Sequence, residues 1–160
     1  MEDHRLEARV GEALLARSWK VCSAESCTGG LVMHRLTNIP GCSTYVLGGV
    51  VTYSNEMKEK LLGVRFETLR QYGAVSEQTA REMVEGVLRV YSADIGVSIT
   101  GIAGPGGATP GKPVGLVYLA VAVPARSLLR VERMQFSADR ERIKWQTANE
   151  PPDRNLTASH

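Results

Sequence analysis

No run of apolar residues in this chain approaches the roughly 20 needed to cross a bilayer, aromatic side chains make up only 6% of it, and charge of one sign never accumulates. The missing span argues against a membrane partner. The opening Met1-Glu2-Asp3-His4-Arg5 also lacks the basic-then-apolar form of a secretory signal, so a cytoplasmic location is expected. The formal charge of +2 is interspersed along the chain. With neither a basic stripe nor aromatic stacking platforms, no nucleic-acid partner is expected, and a small molecule is. Cysteine and histidine are scarce, three of each. Cys22, Cys27 and Cys42 form no C-x-x-C pair, and His4, His34 and His160 give them little company, so neither a disulfide framework nor a metal site is expected. Ser-His-Asp chemistry is excluded on the same ground: only His34 lies well inside the chain, on what reads as a helix surface.

What is present suits one globular domain. With 160 residues and 43% hydrophobic content, residues 1–149 can bury a core, while 150–160, opened by Pro151-Pro152, have little to bury and read as a disordered tail. Leu6, Val10, Ala13 and Leu14 predict an amphipathic helix over residues 3–17. Lys20 to Ser23 reads as an interior strand, followed by a helix carrying Leu31, Val32, Met33 and Leu36. Tyr45 to Tyr53 reads as a second strand, with Gly48-Gly49 marking a bulge or close backbone approach. Ser54 caps a helix that stops at Gly63, and Ser76 caps a longer one with apolar positions from Ala80 to Tyr91. Strands over 94–100, 114–123 and 128–136 follow, the last two forming a hairpin, before a helix beginning near Asp139. Strands separated first by helices and later by a hairpin imply a mixed sheet covered on both faces.

The chemistry concentrates at the first strand-to-helix junction, Ala24-Glu25-Ser26-Cys27-Thr28-Gly29-Gly30. Two hydroxyls, a thiol and a flexible diglycine sit where free helix N–H groups favour developing negative charge. Cys22 reads as a small buried residue, whereas Cys27 at that terminus is an alternative, a thiol whose pKa is lowered so that it becomes reactive. Without histidine, a hydroxyl nucleophile needs another base. Lys58 can serve once burial lowers its pKa; the alternative is a solvated lysine. A second glycine-rich stretch, Gly104 to Lys112, matches G-x-x-x-x-G-K, but Pro113 and a β pattern follow where a P-loop needs Ser or Thr and a helix. Its backbone can still approach a ligand closely. Arg140 and Arg142 can hold an anion or pair with Asp139 and Glu141.

Together, Ala-Glu-Ser-Cys-Thr-Gly-Gly at 24–30, Gly-Gly-Val-Val-Thr-Tyr-Ser-Asn at 48–55, Gly-Ala-Val-Ser at 73–76, Thr-Gly-Ile-Ala-Gly-Pro-Gly-Gly at 100–107 and Lys-Pro-Val-Gly at 112–115 closely resemble the C-terminal domain of the CinA family, the nicotinamide-nucleotide amidases. The resemblance spans roughly residues 5–148. It implies a three-layer α/β/α sandwich with a mixed, mostly parallel sheet, a homodimer or higher homo-oligomer, no cofactor, and hydrolysis of nicotinamide mononucleotide to nicotinate mononucleotide and ammonia. By motif match, Ser26 corresponds to the nucleophile and Lys58 to the base, with Tyr53 a further catalytic position. Thr28, Gly29, Gly30, Thr100, Gly104, Gly106, Gly107 and Arg140 correspond to substrate-binding positions.

Overall fold

The computed structural model describes residues 2–149; the expected tail over 150–160 lies outside them. Five strands, β1 Val21–Glu25, β2 Val46–Val51, β3 Ile95–Gly101, β4 Leu116–Val123 and β5 Leu128–Gln135, form one sheet in the order β2-β1-β3-β4-β5. β2, β1 and β3 are parallel, whereas β4 is antiparallel to both its neighbours. The sheet is therefore mixed: two of its four pairings are parallel and four of its five strands run the same way, so the expectation of a mostly parallel sheet is met in part. The connections explain this. Helices intervene between β1, β2 and β3, as parallel neighbours require, while a loop and then a tight turn bring β4 and β5 back beside the preceding strand.

Among the described residues six α-helices accompany the sheet: α1 Glu2–Arg17, α2 Leu31–Leu36, α3 Asn55–Leu62, α4 Phe66–Tyr72, α5 Glu77–Tyr91 and α6 Arg140–Asn149. Strand alternation divides the core between the two faces of the sheet. On one face Cys22 and Ala24 of β1 pack with Leu62 of α3 and with Met83 and Val87 of α5, and Ala120 and Ala122 of β4 meet Ala80 and Val84. On the other, Val97, Ile99, Val117, Leu119 and Val121 surround Ile143 of α6, and Val21 packs with Leu14 of α1 and with Tyr45. This is a three-layer α/β/α arrangement.

Local chemistry sets the helix ends that matter for the site. Ser54 accepts from the Met57 amide at 3.2 Å to open α3, and Ser76 accepts from the Thr79 amide at 3.1 Å to open α5. At Gly48-Gly49 both sequence readings hold. The β1–β2 register slips at Leu47, immediately before the pair, and a Cβ on Gly49 would collide with the Ser23 hydroxyl. Helix α4 has no counterpart in the sequence reading. Its N-cap, Arg65, makes no side-chain capping bond. The cap comes from α5, where Glu82 accepts from the Arg65 amide at 2.9 Å and the Thr68 hydroxyl at 2.5 Å. Burial opposes the Glu82 charge, yet these donors and the Arg65 guanidinium hold its carboxyl below the ordinary value.

Candidate active site

The carboxyl ends of β1, β2 and β3 lie side by side, the place where open α/β sheets bind ligands. The chain leaving β1 turns through Ser26 to Gly30 before α2 begins. Gly29 and Gly30 take left-handed conformations, with φ of 62° and 100°, which favour glycine. Glu25, the last residue of β1, is buried with its carboxylate against this turn. One oxygen accepts from the Thr28 hydroxyl at 2.6 Å and from the Gly30 and Val32 amides at 3.1 and 3.0 Å. The other accepts from the Met33 amide at 3.1 Å and the Ser23 hydroxyl at 3.4 Å. The free N–H groups of α2 are thus occupied by Glu25, and the Gly29 amide donates to Ser26 O at 3.0 Å. This corrects the expectation that the helix terminus faces outward at Ser26. A carboxylate one residue before the hydroxyl was the available signal for Glu25, but sequence reasoning gave it no role.

Ser26 meets Lys58 directly. The Lys58 Nζ lies 3.2 Å from Ser26 Oγ and donates to Thr52 O at 2.8 Å and Tyr53 O at 3.3 Å. Helix α3 carries the lysine inward, and its side chain is almost wholly enclosed, at 1% exposure. Burial lowers its pKa from the ordinary lysine value to about 8, with the Cys27 thiol acting weakly the other way. The solvated-lysine alternative is therefore replaced by a buried amine. The thiol alternative is also corrected: burial pushes Cys27 up to about 12, so it stays protonated at neutral pH. Beside them Thr52 Oγ1 is buried without a partner among the described residues.

The remaining predicted positions divide between rim and support. Arg140, at the start of α6, donates from Nη1 to Gly104 O at 2.6 Å and from Nη2 to the Tyr53 hydroxyl at 2.7 Å. Tyr53 and Arg140 are exposed at the mouth, and Gly106 and Gly107 continue the adjoining loop. The Thr28 hydroxyl is engaged by Glu25, and Thr100, buried at the end of β3, donates to Ala74 O at 2.7 Å. Arg142 lies outside this group, its amide capped by Asp139 at 2.9 Å. Lys112 is drawn away as well, donating to Tyr72 O, so the G-x-x-x-x-G-K stretch does not present its lysine as a P-loop would.

Residues 3–151 match the family described as the CinA C-terminal domain. The chain belongs to that family. A relative from Moorella thermoacetica, described as a putative competence-damage inducible protein, is 53% identical over 91% of this CinA domain and 35% of its own length. A CinA-like protein from Chloroherpeton thalassium is 55% identical over 86% of the domain and 33% of its own length. The domain thus spans about a third of these curated relatives. Among solved structures, the competence/damage inducible protein CihA of Agrobacterium tumefaciens is similar over 100% of this chain and 97% of its own, with a TM-score of 0.93 and 38% identity.

Proposed function

We propose that this CinA domain hydrolyses the carboxamide of nicotinamide mononucleotide to nicotinate mononucleotide and ammonia, with Ser26 as nucleophile and Lys58 as general base. The observation that carries the reading is the 3.2 Å approach of a buried amine to Ser26 Oγ. Neutral Lys58 takes the Ser26 proton as Oγ bonds to the amide carbon, and the carbonyl electrons move onto oxygen. Backbone amides of the Cys27–Thr28 turn, next to Ser26, are assigned to that oxyanion. Collapse of the adduct breaks the C–N bond, and the Lys58 proton goes to the leaving nitrogen to release ammonia. Water then adds to the acyl-Ser26 ester, giving its proton to Lys58. Breakage of the ester bond returns that proton to Ser26 and frees the carboxylic acid, which ionises by losing its proton to solvent. Tyr53 and Arg140 organise the mouth through their mutual hydrogen bond, and the Gly104–Gly107 backbone adjoins Arg140 there.

Ammonia release from nicotinamide mononucleotide tests the reading. Ser26→Ala is expected to lower turnover by about a thousandfold or more, with binding measured by calorimetry changed no more than about threefold. Full activity in that variant excludes Ser26 as nucleophile. Binding without product in the unaltered chain identifies instead a nucleotide-binding module of the same fold.

A further inference from the structure

Lys144 stands at the same mouth with no part in the chemistry above. It follows Arg140 by one helical turn, so the two side chains share a face of α6, about 6 Å apart along its axis. Arg140 is already held by Gly104 O and the Tyr53 hydroxyl. Among the described residues Lys144 has neither a hydrogen-bond acceptor nor a carboxylate partner, although it is half-buried. Its Nζ lies over the Ser26–Gly30 turn, 3.7 Å from where a Cβ on Gly29 would stand, and its charge is felt at Cys27 within that turn. Gly29, lacking a side chain, leaves the space in front of the ammonium open.

A lysine partly withdrawn from water gains from an anion what it lacks from the protein. A phosphomonoester carries close to two negative charges at neutral pH. One guanidinium fixed in place and one unpaired ammonium a helical turn away match that charge, the first orienting and the second acting as a point charge. We propose that Lys144 is a specificity-determining residue of this site: beside Arg140 it supplies the second cation of a clamp for a phosphomonoester, and it carries the preference for a phosphorylated ligand over an unphosphorylated one. The identity of the amide rests on the amidase reading; the preference for phosphate does not.

The test compares Lys144→Met and Lys144→Arg, each in the Ser26→Ala background so that binding is read without turnover. Calorimetry uses nicotinamide mononucleotide, nicotinamide riboside and ribose 5-phosphate as probes, and thermal midpoints check that each variant is folded. Lys144→Met is expected to weaken both phosphorylated probes by about tenfold and the riboside by less than about twofold, with Lys144→Arg restoring most of the loss. Phosphate-dependent binding in the Ser26→Ala chain, with no ammonia released by the unaltered chain, would remove the amidase reading and leave the clamp standing. Equal weakening of nucleotide and riboside, unchanged binding in Lys144→Met, or no binding of either phosphorylated probe to the parent Ser26→Ala chain overturns the clamp.

Discussion

At the scale of single residues, the tetrahedral geometry of one nitrogen orders the site. Two substituent directions of Lys58 Nζ are taken by the Thr52 and Tyr53 carbonyls, and the third faces Ser26 Oγ. When the amine is neutral, its two N–H bonds satisfy the carbonyls and its lone pair is left for the serine proton. Those carbonyls favour the charged form and burial favours the neutral one; burial wins, leaving the pKa at about 8. Only about a tenth of Lys58 is then neutral at pH 7. Amidase kcat/KM should therefore rise nearly tenfold per pH unit below 8 and level off above it, because the active form is the deprotonated one. A flat profile between pH 6 and 9 would remove Lys58 as the base. Lys58→Arg should leave no measurable amidase activity, since a guanidinium remains charged throughout that range. The sequence reading could bring Ser26 and Lys58 into one hypothesis because their chemistry is local to each residue. Glu25 escaped it because its role is defined by the backbone donors that converge on it after the turn folds.

At the scale of elements, the position of Lys58 depends on how closely α3 approaches α5. Gly86 of α5 permits that approach: a Cβ there would strike the carbonyl of Leu62, the last residue of α3. Gly86→Ala would gain about 1 kcal/mol in helix propensity, but backbone overpacking costs about 1–3 kcal/mol. A rigid carbonyl places the cost at the upper end. A net loss of about 1–2 kcal/mol by urea unfolding is expected, with kcat reduced as α3 shifts Lys58 against Ser26. Elements with their own punctuation were legible: α3 and α5 carry Ser caps, and β5 alternates after a tight turn from the apolar run of β4. Helix α4 was not, because the carboxylate that caps it belongs to Glu82 on another helix. The balance of parallel and antiparallel pairings was likewise hidden, since the sequence shows which segments are strands more directly than how each pairs.

At the scale of the whole molecule, a buried ion pair joins the helices of the outer layer. Arg35 of α2 meets Glu7 of α1 at 2.6 Å and donates to Ala148 O of α6 at 2.7 Å, across 113 positions of sequence. No periodicity or motif announces a contact of that range. Removing Arg35 alone leaves Glu7 buried and unpaired, so Arg35→Met should cost about 3–5 kcal/mol in denaturant unfolding. The double variant Glu7→Leu with Arg35→Met should recover most of that stability, because apolar groups can replace a buried ion pair. It should still bind nicotinamide mononucleotide more weakly by calorimetry, since the Ala148 tether is gone. The Arg35 guanidinium also rests over the indole of Trp145, 5.6 Å from the ring centre. That stacking gives the molecule an optical gauge of its own: a change in how α6 is seated moves a cation relative to a fluorophore, so ligand engagement at the rim becomes visible as a shift in indole emission without any dye being attached.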